Sequence, residues 1–160
     1  MRLVVADTSP IFYLLSLDRI DLLPQLFGKV FIPDAVHDEL CHPAAPTLVR
    51  EWAARPPDWA VVTSVEALDD AAFRQLGAGE RAAITLALSL HADLILIDER
   101  KGTNVALSKG FEVTGTLGVL GLAARRGFVN LADAFARLKR TNFRYRQEIM
   151  DELLDQQEGG

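Results

Sequence analysis

Cysteine is almost absent from this chain. Cys41 stands alone among 160 residues, which excludes a disulfide framework and a cysteine-rich zinc site and fits a reducing compartment. Long hydrophobic runs are missing as well. Although 49% of the chain is hydrophobic, no apolar stretch approaches the roughly 20 residues that cross a bilayer. The N-terminus makes a poor signal peptide, because Asp7 and Pro10 interrupt its apolar run. A cytoplasmic protein without a membrane segment is expected. There is no internal repeat, low-complexity segment or long linker, so residues 1–160 are expected to form one domain, large enough to bury a sizeable core.

Net positive charge is lacking too, at −5, but its distribution is uneven. From Arg125 to Arg146 seven cations face one acid, Asp133. That basic, helical C-terminal segment carries about +6 and leaves about −11 on the remainder. A solvated set of helix faces would account for it; so would an acidic body holding cations and a basic tail holding a polyanion.

Five short runs rich in Val, Ile, Leu or Phe predict strands: Leu3–Val5, Val30–Ile32, Ala60–Val62, Leu94–Ile97 and Phe111–Val113. Each is nearly continuous in hydrophobicity, the pattern of parallel strands covered on both faces. Helical patterns lie between them, at Pro10–Leu17, Ile20–Phe27, Pro33–Leu40, Thr47–Ala54, Glu80–Leu90 and Asn104–Lys109. Three more, Thr116–Arg126, Leu131–Arg140 and Tyr145–Gln156, close the chain. Alternation of this kind predicts an α/β layered domain.

Two of these strands end on a carboxylate. Asp7 follows Leu3-Val4-Val5-Ala6, and Asp98 follows Leu94-Ile95-Leu96-Ile97. The plain role for Asp7 is to cap a helix starting at Ser9-Pro10. However, ligands of open α/β sheets bind beyond the carboxyl ends of the strands, where both acids fall. Two further acids sit on the apolar side of helices. In PDAVHDEL, Glu39 projects between Ala35 and Val36 and looks inward, while Asp38 points nearly opposite. In GAGERAAITLAL, Glu80 precedes Ala83, Ile84 and Ala87 by three, four and seven residues, so it lies on the apolar stripe. Gly77 and Gly79 would let that backbone approach another element closely. Clustered carboxylates repel, and burying one is costly. No inward-facing basic residue is evident, and a hard divalent cation such as Mg²⁺ or Mn²⁺ would resolve the conflict.

VVADTSPIFYLLSLDRIDLLPQLFG, VFIPDAVHDEL, LGAGERAAITLAL, ADLILIDERKG and FEVTGTLGVLGLAARRGF, in that order up to about Phe128, resemble the PIN-domain family. They closely resemble a VapC-like branch whose members are toxins of toxin–antitoxin pairs. The resemblance implies a parallel five-stranded sheet of order 3-2-1-4-5, with Asp7 and Asp98 on adjacent strands at the switch point. It also implies Mg²⁺- or Mn²⁺-dependent cleavage of RNA, with Asp7, Glu39, Glu80 and Asp98 as the catalytic, metal-binding acids. Thr8 or Ser9 would orient a water; Glu99, where relatives often carry a further acid, would assist or pair with Arg100 or Lys101. A small antitoxin protein and a homodimer built on Pro10–Phe27 are the implied partners. Many relatives have Asp where this chain has Glu80, and many are basic where it has Thr103-Asn104. Thr116 is explicable as a helix N-cap.

Arg125 and Arg126, closing the helix that begins at Thr116, are the expected RNA contacts. Other chemistries fit less well. His37, His42 and His91 are scattered, with no Ser-His or Cys-His pairing. A receiver domain would need Asp after its third strand and Lys after its last, but Thr63-Ser64 follow the third and no Lys follows Val113. An aspartyl-nucleophile phosphatase would have Asp where Ser9 stands. A non-catalytic PIN-fold binding module would be signalled by loss of an acid, and all four are present.

Overall fold

A computed structural model describes residues 2–66 and 68–159. Five strands, β1 (Val4–Ala6), β2 (Val30–Pro33), β3 (Ala60–Thr63), β4 (Leu94–Leu96) and β5 (Glu112–Thr114), form one sheet. All four pairings are parallel and the order is β3-β2-β1-β4-β5. Each predicted strand is present to within one residue at either end. The helices are α1 (Thr8–Ser16), α2 (Leu22–Phe27), α3 (Asp34–Leu40), α4 (Thr47–Ala54) and α5 (Ala78–Leu90). The rest are α6 (Arg100–Ser108), α7 (Thr116–Arg125), α8 (Leu131–Leu138) and α9 (Gln147–Gly159). A short 3₁₀ turn at Ala71–Phe73, capped by the Asp70 carboxylate on the Ala72 amide, has no counterpart in the hydrophobic pattern.

Strand alternation divides the interior into two cores. Val4, Ala6, Val30, Ile32, Leu94 and Leu96 face one side, where they meet α1, α2, α7 and α8 through residues such as Ile11, Leu23, Leu120 and Phe135. Val5, Ile95 and Ile97 face the other, against Ala83, Ile84 and Ala87 of α5 and Ala106 of α6. The central strands β1 and β4 are therefore buried on both faces, which explains why their sequences do not alternate with polar residues. Met150 of α9 is fully buried in the first core, anchoring the C-terminal helix against α7 and α8.

The order of the strands reverses at β1, whose neighbours are β2 on one side and β4 on the other. Ala6 stands opposite Leu96, and the Asp7 amide donates to the Leu96 carbonyl at 2.9 Å. Asp7 and Asp98 consequently leave adjacent strands at the same edge. The same side chains that set this register carry much of the stability. Replacing fully buried Leu96 by Ala is expected to cost about 2–5 kcal/mol, measured as a lower urea midpoint with an unchanged slope.

Candidate active site

Asp7 occupies the N-cap position of α1, yet its side chain makes no capping hydrogen bond. The third residue of that helix is Pro10, which has no amide to offer. Its carboxylate is instead 4% exposed, turned toward the other acids. Burial pushes its pKa from 3.8 up to about 7, with the Thr8 amide opposing and the charges of Glu80, Glu39 and Asp98 adding. The role of plain helix cap is thus excluded for Asp7.

Glu39 reaches the same place by a different route. It is an exposed residue on α3, not an inward-facing one as the helix periodicity suggests, but its carboxylate bends back to accept the Thr8 hydroxyl in a short hydrogen bond. Glycine at position 79 makes the meeting possible. A Cβ there would lie 2.8 Å from a Glu39 oxygen and 2.9 Å from an Asp7 oxygen, so any larger residue would displace both. Glu80 follows in the first turn of α5, half-buried, with one carboxylate oxygen curled back toward Gly77 and its methylenes against Gly102.

Asp98 is held more firmly than the others. One oxygen accepts the Thr116 amide at 2.7 Å and the other accepts the Thr116 hydroxyl, also at 2.7 Å. Burial raises its pKa, and these two hydrogen bonds oppose the shift. Thr116 is itself fully buried. It is not the N-cap that its sequence position suggests, since Gly115 takes that place; it positions Asp98. No local pattern would have revealed this, because the partners are eighteen residues apart and meet across β4 and β5.

Glu99 also departs from expectation. It pairs with neither Arg100 nor Lys101 but caps α6, accepting the Gly102 amide at 3.1 Å. Ser9 lines a cleft beside Asp98. Arg125 and Arg126 are not brought to the acids. They close α7, and a ten-residue helix puts about 15 Å between its ends. Arg125 donates to Gln156 and Arg126 to the Gln25 carbonyl. The cations that do border the cleft are Arg100, Arg144 and Arg146. The histidines serve elsewhere: His37 sits 2.8 Å from the Ala53 carbonyl, and His42 accepts the Ala44 amide.

Four carboxylates from β1, α3, α5 and the end of β4 therefore face one sheet edge. Among the described residues none of them forms an ion pair, and no three close around one point as a finished metal cage. The donor chemistry nevertheless fits a hard divalent cation. All four are oxygen ligands, and among the described residues no protein cation pairs with Asp7.

The Asp7 shift has a definite sign. Between pH 3.8 and about 7 the metal-free folded state takes up a proton that the unfolded chain releases. Stability must therefore fall as pH rises through that window, by at most about 4 kcal/mol from this group; Asp98 acts in the same direction. Asp7→Asn should flatten the dependence and make the EDTA-treated protein more stable than the parent above pH 7. Thermal melts across the window check this. Added Mn²⁺ should raise the parent's melting temperature, less so below pH 7, where the cation must displace the Asp7 proton.

A family model for the PIN domain matches residues 3–158. No significant match is found among curated proteins or among solved structures. The matched span covers every strand and all four acids, and PIN domains are in general nucleases that use divalent metal ions. By its sequence, over nearly its whole length, the chain belongs to the PIN-domain family.

Proposed function

We propose that this protein is a metal-dependent endoribonuclease, the toxin of a toxin–antitoxin pair, that hydrolyses RNA phosphodiesters at Asp7, Glu39, Glu80 and Asp98. The observation that carries the reading is the gathering of four carboxylates at the switch point without a pairing cation. Mg²⁺ or Mn²⁺ held by these acids would lower the pKa of an attacking water and offset charge developing on the scissile phosphate.

The chain's own groups prepare the site in four ways. Thr116 fixes both oxygens of Asp98, setting the direction from which its remaining lone pairs are offered. The Thr8 hydroxyl donates to Glu39, which leaves the Thr8 oxygen free to accept from a water and so to orient it. Ser9, beside Asp98 in the cleft, is the second hydroxyl within reach of substrate. Glu99, committed to capping α6, fixes the start of the helix that follows Asp98.

The toxin role, the small antitoxin and the homodimer are supported by the likeness to VapC-like proteins. For the dimer there is also a surface. Ile11, Leu14, Leu15, Leu22 and Leu23 are consumed by the core, while Phe12, Tyr13 and Leu26 of α1 and α2 remain half-buried. Light scattering at micromolar concentration should report a dimer; a monomer would remove that part of the reading.

Asp7→Asn and Asp98→Asn should each lower Mn²⁺-supported cleavage of RNA by at least about 100-fold, more than the roughly 10–100-fold lost with a ligand's supporting contact. Thr116→Val, which deletes the hydroxyl bond to Asp98 but keeps the amide, should fall in that smaller range, with Thr116→Ser restoring activity. Gel assays with and without EDTA decide the matter. Parental cleavage by the Asp7 variant would place the chemistry elsewhere.

A further inference from the structure

The cleft beside Asp98 encloses about 920 Å³, near the top of the range for small-ligand pockets, roughly 300–1,000 Å³. One wall comes from the sheet edge and α6, including Ser9, Asp98 and Arg100. The other comes from the segment between α8 and α9, through Arg144, Tyr145 and Arg146. That segment is fixed in place by α1. The Tyr13 hydroxyl donates to the Asn142 side-chain amide oxygen (Oδ1) at 2.8 Å, and the Tyr13 ring meets Phe143 edge-on at 4.9 Å. Beyond it, buried Met150 pins α9 to the core.

This wall differs in character from the acids it faces. Among the described residues Arg100 and Arg144 enter no ion pair, and Arg146 has an exposed partner, Glu148, at 3.4 Å; such a pair is worth little in water. Tyr145 is 41% exposed, and Lys139 Nζ lies 5.5 Å from its ring centre. A partly exposed aromatic ring stands among cations here, one of them, Lys139, lying over the ring. Such a group offers what a single-stranded polynucleotide requires: cations for phosphates and a partly exposed ring for an unstacked base. A duplex keeps its bases stacked inside and would have none to present to Tyr145.

The geometry points to the Asn142–Arg146 segment as a nucleotide-binding strap, which seats single-stranded RNA in the cleft by stacking one base on Tyr145 and holding its phosphates with Arg144, Arg146 and Arg100. The strap would deliver the adjacent phosphodiester to Asp98. This rests on the nuclease reading for its purpose, but not for its test, because binding is measured without catalysis.

The experiment titrates the full-length protein, in EDTA, with a fluorescently labelled single-stranded oligoribonucleotide at several salt concentrations. The same sequence as a duplex, and polyglutamate as competitor, form the other arms. Replacing Arg144 and Arg146 together by Ala should reduce the salt slope by about two, one for each lost phosphate contact. Tyr145→Ala should weaken single-strand binding by about fivefold or more, Tyr145→Phe should restore it, and neither should alter duplex binding. Thermal melts equal to the parent's establish that the variants are folded.

Parental affinity in the Arg144/Arg146 variant overturns the strap. So does a loss of binding that appears only when Arg125 and Arg126 are replaced. Displacement of RNA by polyglutamate with no effect of Tyr145→Ala also overturns it, marking the wall as a seat for an acidic protein segment. Cleavage by the parent in Mn²⁺, measured alongside, separates the two ideas. If the parent cuts RNA but the strap variants bind normally, the nuclease stands and the strap falls. If the parent does not cut yet the strap variants lose binding, the strap stands alone.

Discussion

A carboxylate buried without a counter-ion is among the costliest groups a small domain can carry. Asp7 is such a group, sealed at the end of the central strand with Glu39, Glu80 and Asp98 turned toward it. The protein provides no cation for it. In the metal-free state the relief available is a proton, which is why the pKa lies near 7. Everything around the site accommodates that charge rather than cancelling it.

Accommodation is visible in the backbone. Gly79 lets α5 start against two carboxylates that a Cβ would touch, and Gly115 leaves room for Asp98 at the start of α7, where a Cβ would lie 2.5 Å from its oxygen. Placing Asp98 there also sets its negative charge against the N-terminus of a helix, where the macrodipole favours it. Thr116 contributes two hydrogen bonds at the same point. The two cores, one on each side of the sheet, supply the rigidity that holds mutually repelling groups within reach of one another. Leu96 at the end of β4 and Ile97 just after it pack into the cores on opposite sides of the sheet and so hold the edge from which Asp98 projects.

This division explains what could be foreseen from sequence. The strands were legible because β1 and β4 are buried on both faces and so must be continuously apolar, and Asp7 and Asp98 stand out as the points where that run breaks. Glu80 is visible as an acid on an apolar stripe. Glu39 was found for the wrong reason: periodicity turned it inward, whereas the residue is exposed and its carboxylate returns through the bond from Thr8. Thr116 was hidden because its partner lies eighteen residues earlier, and an N-cap explains a threonine at a helix start equally well. Arg125 and Arg126 lie at the opposite end of α7 from Thr116, because the helix carries them away from the residue beside which they were expected. The segment from Asn142 to Arg146 could not be located at all before knowing that Tyr13 and Met150 draw it back across α1.

The charge asymmetry along the chain then takes on a spatial meaning. An acidic sheet edge repels an RNA backbone, and that repulsion reaches about 8–10 Å at physiological ionic strength. A polyanion could not settle there unless cations stood within the same distance. Of the cations, Arg144 and Arg146 from the basic segment and Arg100 from α6 line the same cleft as Asp98, whereas Arg125 and Arg126 close α7 and do not line it. The acids must be near enough to one another to hold a cation, and the arginines near enough to the acids to offset their field, without being so near that they pair with them. Pairing would neutralise both sets. Among the described residues no ion pair reaches the four acids, and the segment that carries Arg144 and Arg146 is tied to α1 through the Tyr13 hydroxyl and the Asn142 side chain; the two sets of charges border one cleft without neutralising each other.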